Sequence, residues 1–375
     1  MRYISASLQK DLARKVVLLS GPRQAGKTTL AKSLVSSPEY LNFDVPAERL
    51  MIKSQSWDRS ANLLILDELH KLKNWKLFLK GLTDSAAHKL PTIVTGSARL
   101  DVARKVGDSL AGRYFLYHLH PIDIKEAVQL FKIKPEEAFN RIMTVSGFPE
   151  PFLLNDVGEY RRWRSTHSDI ILRQDLFDTE SVEKISQLET LLELLKSRVG
   201  APIAYANLAR ELDCAPRTVK RWLQILENLF VVFKLQPYSH KLSRAILKAP
   251  KYYFFDCASV VGDEGARFEN LVALALKKEI DFRRDCFGDD LSLYFVRNKD
   301  GDEIDFLILK EKKPFLAVEA KWSDDAPHKA FKVFSKELPY KRAIQLVAKL
   351  EREKTYPFGL EIRRATSWLS EFVLT

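Results

Sequence analysis

The sequence is poor in cysteine and lacks the spacings that cysteine needs for its usual structural roles. Only three cysteines occur in 375 residues, namely Cys214, Cys257 and Cys286. Their odd number and wide separation give no disulfide framework, and no Cys-x-x-Cys pair points to a zinc site. We therefore expect free, reduced thiols in a cytoplasmic protein.

Long apolar segments are also absent. The start of the chain has no apolar core of the kind found in signal peptides, and no uninterrupted apolar run is long enough to span a bilayer. The sequence also shows no internal repeat, no low-complexity segment and no long flexible linker. These absences favour a soluble, intracellular, globular protein without a membrane partner.

What the sequence has in excess is positive charge, and that charge is concentrated. The formal net charge is +11, while 46% hydrophobic residues are enough to build substantial cores. Residues 195–250 contain ten Lys or Arg but three Asp or Glu, which places most of the excess in one segment. Such a concentration indicates contact with nucleic acid better than a uniformly basic surface does.

The residue pattern changes along the chain and predicts several domains, as the length requires. Residues 1–122 alternate short apolar runs with helix-like stretches, which is typical of a mostly parallel sheet covered on both faces. Residues 123–182 are helical in pattern. Residues 183–248 are again helical and strongly basic. Strands mixed with helices return over residues 249–375.

A phosphate-binding loop is predicted near the start of the chain. Gly21-x4-Gly26-Lys27-Thr28, continued by Thr29, follows an apolar strand and opens a helix, which is the context that a P-loop needs. The glycines let backbone N–H groups turn toward phosphates, Lys27 would reach the β- and γ-phosphates, and the Thr28 hydroxyl would bind Mg²⁺. We therefore expect ATP and Mg²⁺ as cofactors.

A second apolar strand, residues 63–66, ends in the two carboxylates of Asp67 and Glu68. Asp67 would hold Mg²⁺ through water, and Glu68 would orient or deprotonate the attacking water. The alternative interpretation is an acidic helix cap after a buried strand. The P-loop upstream favours the catalytic interpretation.

A helix-turn-helix is predicted within residues 204–230. Apolar residues recur at helical spacing in its second helix and form a core face: Val219, Trp222, Leu223, Leu226 and Phe230. Arg217, Lys220 and Arg221 fall mostly elsewhere and could contact DNA in a groove. The apolar run 231–235 completes a winged-helix outline. Winged helices also serve as protein–protein modules, so that alternative stays open.

The last part of the chain contains a hairpin with an acidic strand. Apolar-rich runs at residues 293–297 and 303–309 are separated by Asn298-Lys299-Asp300-Gly301, and Asp-Gly is a strong hairpin signal. Residues 315–321 form a third predicted strand. Because side chains alternate along a strand, Glu319 and Lys321 lie on the same side.

These strands predict a metal site for phosphodiester cleavage. Asp305 and Glu319 would hold a hard cation, Mg²⁺ or Mn²⁺, through oxygen atoms. The metal would lower the pKa of a bound water, Lys321 would position that water, and Glu269 on an upstream helix would be an additional ligand. The alternatives are a hairpin with ordinary surface charges and a domain of this fold that is catalytically idle.

Together these residues resemble bacterial and archaeal AAA-type ATPases with a C-terminal domain of unknown function. The landmarks are Gly21–Thr28, Leu66-Asp67-Glu68, Gly96-Ser97, Gly112-Arg113, Gly147-Phe148-Pro149, Phe268-Glu269-Asn270, Gly301–Phe306 and Glu319-Ala320-Lys321. The resemblance implies an α/β protein with four parts. These are a P-loop AAA-type ATPase domain at 1–122, a helical lid at 123–182, a winged helix at 183–248 and a PD-(D/E)xK nuclease-like α/β domain at 249–375.

The resemblance also implies roles for residues that the motifs alone do not explain. Ser97 is the candidate sensor of the γ-phosphate, and Arg113 would reach the ATP of a neighbouring subunit, with Arg99 as the second choice. The expected function is an ATP- and Mg²⁺-dependent ATPase that works as a homo-oligomer such as a hexamer. It would bind DNA, including branched or broken DNA, and cleave it. The alternative is an ATP-switched DNA- or protein-binding regulator with an idle nuclease-like domain.

Overall fold

The computed structural model describes most of the chain, in two units. The described residues are 2–85, 90–96, 100, 110–171, 182–239, 249–335, 338–357 and 359–374. The first unit comprises Met1–His120 with Asp285–Gly288, and the second comprises Pro121–Arg284 with Asp289–Thr375. None of the helices in the described ranges is both long and apolar enough to cross a bilayer.

The first unit is built on a five-stranded parallel sheet with the order β2-β3-β4-β1-β5. Its strands are β1 (Val16–Ser20), β2 (Pro38–Asn42), β3 (Leu63–Asp67), β4 (Thr92–Gly96) and β5 (Tyr114–His118). Every residue of β1, β3 and β4 is buried, as expected for strands in the middle of a parallel sheet. The predicted parallel α/β unit is confirmed.

The helices of this unit are α1 (Ser5–Leu12), α2 (Lys27–Lys32), α3 (Pro46–Ser54) and α4 (Trp75–Asp84). The sequence predicted no strand at β2. The physical reason is that β2 is an edge strand with a single buried residue, Leu41, so it has no apolar run.

The second unit begins with helices, and these include the predicted helix-turn-helix pair. They are α5 (Ile124–Phe131), α6 (Pro135–Val145), α7 (Pro149–Leu154), α8 (Val157–Asp169), α9 (Val182–Lys196), α10 (Tyr205–Glu211) and α11 (Pro216–Asn228). The predicted core face of α11 is confirmed, because Val219, Trp222, Leu223 and Leu226 are each at most 1% exposed. Phe230, just beyond the helix, is also buried.

A mixed eight-stranded sheet forms the rest of the second unit, with the order β12-β13-β11-β10-β9-β8-β6-β7. Its strands are β6 (Val232–Pro237), β7 (Lys251–Phe254), β8 (Leu291–Arg297), β9 (Glu303–Lys310), β10 (Lys313–Lys321), β11 (Arg342–Val347), β12 (Lys354–Thr355) and β13 (Leu360–Arg364). The predicted hairpin is confirmed as the antiparallel pair β8–β9.

Three further helices accompany this sheet: α12 (Glu264–Phe287), α13 (Lys329–Phe334) and α14 (Ala365–Glu371). The strands that follow the helix-turn-helix join the same sheet, because β6 pairs antiparallel with β7 and parallel with β8. β10 pairs antiparallel with β9, and the Lys251 side chain of β7 contacts Asp305 on β9 and Glu269 on α12.

Candidate functional site

The P-loop leaves the carboxyl end of β1, and its glycines are required by the backbone. A Cβ atom on Gly21 would lie 2.2 Å from the carbonyl oxygen of Leu119, so no larger residue fits there. Gly26 has a φ of +92° at the start of α2, a conformation that other residues adopt at a cost. The loop geometry thus accounts for both glycines of the motif.

The P-loop lysine and threonine face the inside of this loop. Lys27 is 7% exposed, and its ammonium donates to the carbonyl oxygens of Gly21 at 2.9 Å and Pro22 at 2.7 Å. The Thr28 hydroxyl donates to Oδ2 of Asp67 at 2.9 Å. Thr29 is exposed one residue further along the helix. The structure therefore brings the predicted Thr28 and Asp67 into direct contact.

Asp67 is the centre of a hydrogen-bond network at the ends of three strands. Besides Thr28, its Oδ2 accepts from the Tyr40 hydroxyl of β2 at 2.9 Å. Its Oδ1 accepts from the Thr95 hydroxyl of β4 and from the backbone N–H of Glu68 at 3.1 Å. Burial, followed by the charge of Asp67, raises the pKa of Tyr40, so its hydroxyl remains a proton donor at neutral pH.

Thr28 and Asp67 fit a magnesium ion by their chemistry. Mg²⁺ prefers oxygen ligands and is held in proteins by one or two carboxylates together with phosphate oxygens and water. The structure supplies one hydroxyl and one carboxylate side by side, 2.9 Å apart, at the mouth of a phosphate-binding loop. Tyr40 and Thr95 hold that carboxylate in place from either side.

Glu68 directly follows Asp67, just beyond the C-terminal end of β3. Its backbone has a φ of +55°. Its Oε2 lies 3.6 Å from Nε2 of His70 and 3.7 Å from the ammonium of Lys71, which also binds Asp44 at 2.6 Å. The side chain is thus part of a small charged cluster. The sensor candidate Ser97 and the second-choice arginine Arg99 lie outside the described residues.

Arg113 lies at the N-terminal end of the parallel strands, whereas the P-loop lies at their C-terminal end. It directly precedes β5, which runs parallel to β1, whereas the P-loop follows β1. Five strand residues span about 16 Å. The Arg113 guanidinium makes a two-point contact with Asp84, at 2.7 Å and 3.1 Å. Arg113 is therefore too far away to touch phosphates bound by its own P-loop.

The three predicted DNA-contacting residues share the outer side of α11. Arg217, Lys220 and Arg221 are exposed, while the neighbouring residues Val219 and Trp222 are buried. The helix thus presents positive charge on the side opposite its core face.

The four residues predicted for the C-terminal site come together. Lys321 binds Oε1 of Glu319 at 2.8 Å, as expected for side chains on the same side of β10. The backbone N–H of Asp305 donates to Oε2 of Glu319 at 3.2 Å, and Oδ2 of Asp305 accepts from the N–H of Ala320 at 3.0 Å. Glu269, in the second turn of α12, reaches the same place through a shared contact with Lys251.

Lys251 and Glu303 were not predicted from the sequence. Lys251 is the first residue of β7 and is completely buried, and its ammonium pairs with Glu269, Glu303 and Asp305. The sequence carries one weak signal, because the three residues that follow Lys251 in β7 are aromatic. The structure buries all four residues of this strand.

Burial perturbs the acids of this cluster. It raises the pKa of Asp305 to about 7, with the charge of Glu319 adding to the effect and Lys251 opposing it. Burial raises the pKa of Glu269 to about 7 as well, together with the charge of Asp305. Within the described part of the chain, no group of three or more His, Cys, Asp or Glu side chains is arranged to hold a metal ion.

Comparison with known protein families divides the chain into three matched segments. Residues 13–128 match an AAA domain family. Residues 136–261 and 264–364 match two families, each described as a domain of unknown function, DUF8612 and DUF4143. The first segment contains the P-loop and Asp67, and the third contains Glu269, Asp305, Glu319 and Lys321.

Individual relatives are distant. An uncharacterised protein of Mycobacterium tuberculosis is 28% identical over 68% of this chain, and the match spans 57% of that protein's length. An uncharacterised protein of Methanocaldococcus jannaschii is 24% identical over 87% of this chain and 79% of its own length. Among solved structures, the Aeropyrum pernix Orc1 protein in complex with DNA matches 74% of this chain and 94% of its own, with 13% identity and a TM-score of 0.36.

Proposed function

We propose that this chain, in which residues 13–128 match an AAA domain family and residues 264–364 match a domain of unknown function, binds ATP with Mg²⁺ and hydrolyses it. The observation that carries the proposal is the contact between Thr28 of the P-loop and Asp67 of β3. It supports a site in which phosphates and a metal ion meet.

The residues of the site have distinct roles in this proposal. Mg²⁺, when bound, would neutralise charge on the phosphates, and Thr28 and Asp67 would hold it. Lys27 would leave the carbonyls of Gly21 and Pro22 to contact the phosphates. Glu68, next to Asp67, would orient the attacking water and accept its proton.

Two substitutions separate nucleotide binding from turnover. Lys27→Ala should weaken binding of a fluorescent ATP analogue, because a phosphate contact is lost. Glu68→Gln should keep that binding and lose turnover, because only the group that activates water is changed. Turnover at the wild-type rate in Glu68→Gln would show that Glu68 does not have this role.

We infer further that the ATPase works as a homo-oligomer in which Arg113 serves a neighbouring subunit. Arg113 lies at the N-terminal end of the strands, away from the P-loop of its own subunit. An arginine that a neighbouring subunit supplies in trans can stabilise the charge of the transition state. Lys27→Ala protein mixed with Arg113→Ala protein should recover activity, because some mixed sites are complete. A protein that is monomeric at all concentrations and fully active would exclude this arrangement.

DNA is the proposed partner of α11, in a winged-helix arrangement. The support is the row of exposed positive residues Arg217, Lys220 and Arg221 opposite a fully buried face. Changing all three to Gln should weaken DNA binding and flatten its dependence on salt, because fewer counterions are released. An unchanged affinity and salt slope would favour a protein partner for this helix.

The second candidate function is metal-dependent DNA cleavage by the C-terminal domain. The observation that favours it is the gathering of Glu269, Asp305, Glu319 and Lys321, while the ammonium of Lys251 among these carboxylates argues against it. If cleavage occurs, Asp305→Ala should abolish it and leave ATP hydrolysis intact. Without cleavage, the domain is a binding platform in a regulator that ATP switches between two states.

A further inference from the structure

The acidic cluster of the C-terminal domain is built around an ammonium group. Nζ of Lys251 lies 3.3 Å from Oε1 of Glu269 and 3.8 Å from Oδ1 of Asp305, and it also forms an ion pair with Oε1 of Glu303. The lysine side chain has no exposed surface. The ring of Phe295 lies 5.2 Å from the same nitrogen. A cation is thus already fixed at the point where three carboxylates converge.

Further protein donors reach each of these three carboxylates. Oε1 of Glu269 accepts from the Tyr253 hydroxyl at 2.7 Å. Oε2 of Glu303 lies 3.4 Å from the guanidinium of Arg297. Oδ2 of Asp305 accepts from a backbone N–H at 3.0 Å. A metal ion would have to replace these contacts as well as the ammonium.

Glu319, the other predicted ligand, is neutralised separately. Its Oε1 is bound by Lys321 at 2.8 Å and lies 3.3 Å from Nδ1 of His328, and its Oε2 accepts from the N–H of Asp305. The carboxylate is 2% exposed. Its oxygens are therefore turned toward protein donors.

The backbone packs closely against the Glu269 side of the cluster. Gly200 has a φ of +79°, and a Cβ atom on it would lie 2.5 Å from Oε2 of Glu269 and 2.9 Å from its Oε1. Such a contact leaves no room for a hydrated ion between Gly200 and Glu269, so an ion could approach Glu269 only from the side that Lys251 occupies. Mg²⁺ in proteins usually keeps several of its waters, so with Lys251 in place the residues present do not fit a resident metal.

We propose that Lys251 is the permanent counter-ion of this cluster and takes the position that a metal ion would need for cleavage. The C-terminal domain then folds without a divalent cation and does not cut DNA. The inference does not depend on ATP hydrolysis, because the cluster and the P-loop belong to different units of the chain.

The test is binding of Mn²⁺ to the full chain without nucleotide, measured by electron paramagnetic resonance. All proteins carry Asp67→Asn so that the ATP site does not contribute. With Lys251 present, we expect no Mn²⁺ binding that depends on Asp305. In Lys251→Met we expect a new Mn²⁺ site, because the three carboxylates that converge on Lys251 have lost their counter-ion. The matched control Lys313→Met, at an exposed position on β10, should behave like the parent.

Thermal unfolding adds a second readout. Lys251→Met should lower the melting temperature by several degrees, because it leaves buried charges unpaired, and Mn²⁺ should restore part of that loss. The parent and Lys313→Met should show no such Mn²⁺ effect. A Lys251→Met protein that loses stability without gaining either Mn²⁺ binding or a Mn²⁺ effect would contradict the inference.

The outcome that overturns the proposal most directly does not need the Lys251 variant to fold. It is a stoichiometric Mn²⁺ site in the parent that disappears in Asp305→Asn. Nicking of supercoiled plasmid by the otherwise wild-type chain with Mg²⁺ or Mn²⁺, abolished in Asp305→Ala, would also overturn it. ATP turnover measured in the same wild-type sample separates this failure from a failure of the proposed ATPase function.

Discussion

Removal of one hydroxyl group, in Tyr40→Phe, tests how the proposed ATP site holds Asp67, its proposed magnesium ligand. The Tyr40 hydroxyl donates to Oδ2 of Asp67 at 2.9 Å, on the same oxygen that Thr28 contacts. The ring itself lies beneath the ammonium of Lys32, 3.6 Å from the ring centroid. Phenylalanine keeps that ring contact, so the substitution removes only the hydrogen bond.

A hydrogen bond to a charged acceptor contributes about 1.5–3 kcal/mol. Tyr40 is only half-buried, so we expect the lower end, a loss of about 1.5 kcal/mol in the free energy of unfolding. If the poorer positioning of Asp67 costs a similar free energy in the transition state of hydrolysis, kcat/KM for ATP falls about tenfold. The Mg²⁺ concentration for half-maximal turnover should rise, since Asp67 is less firmly held.

Tyr117→Phe is the matched control. Its hydroxyl donates to Asp11 of α1 at 2.6 Å, so the control removes another Tyr–Asp bond from the same unit, away from the metal-binding pair. Urea denaturation should show similar losses for both variants, while steady-state ATP hydrolysis should change only in Tyr40→Phe. Equal kinetics in the two variants would refute the positioning role of Tyr40.

Three further predictions concern the second unit. Gly200→Ala should destabilise the protein more than Gly301→Ala in chemical denaturation. Both residues have a positive φ, but an added Cβ would meet a neighbour, Glu269, only at Gly200. Equal losses of unfolding free energy in the two variants would contradict the packing described. Burial raises the pKa of Glu269 to about 7 from an ordinary value of 4.5, so the folded chain binds the carboxyl proton more tightly than the unfolded chain does. The free energy of unfolding should therefore fall as the pH rises from 4.5 to about 7. Glu269→Gln should reduce that slope, and identical slopes would argue against the shift. Trp222→Ala should cost about 3–5 kcal/mol of stability and its exposed neighbour Arg221→Ala less than about 0.5 kcal/mol, both measured by urea denaturation.

The parts of the protein that the sequence predicted are those carried by contiguous patterns. The P-loop at Gly21–Thr28 and the pair Asp67-Glu68 each follow a fully buried strand, so periodicity and motif agree. The matches of residues 13–128 to an AAA domain family and of residues 264–364 to a domain of unknown function confirm the expected combination of these two domains. The hairpin β8–β9 was predictable for the same reason, since a turn signal separates two apolar runs.

The partners of the functional side chains could not be predicted, because they come from distant parts of the chain. Tyr40 lies on a half-exposed edge strand 27 residues before Asp67. Thr95 lies on β4, and only the strand order places its hydroxyl beside Asp67. Lys251 is similar: the aromatic residues after it are only a weak local signal, and its partners Glu269, Glu303 and Asp305 come from α12 and β9.

The metal prediction for the C-terminal domain shows the same limit. Order and alternation along the strands brought Asp305, Glu319 and Lys321 together as expected. They gave no information on which cation would neutralise the carboxylates. The structure places Lys251 there, and that contact changes the chemistry that the cluster can support.

The roles of Ser97, Arg113 and the basic residues of α11 stay predictions. Ser97 lies outside the described residues, and Arg113 needs a second copy of the chain to act. Arg217, Lys220 and Arg221 are exposed on a helix whose opposite face is buried, and their contact with DNA stays untested.

ATP turnover as a function of Mg²⁺ concentration tests whether Thr28 and Asp67 hold the magnesium ion, as proposed. We compare the wild-type chain with Asp67→Asn, which keeps the side-chain shape and removes the charge. We expect Mg²⁺-dependent turnover in the wild type. In Asp67→Asn we expect turnover to fall at least about tenfold, corresponding to about 1.4 kcal/mol, with half-saturation shifted to higher Mg²⁺. Turnover and Mg²⁺ dependence in Asp67→Asn that equal those of the wild type would contradict the proposal.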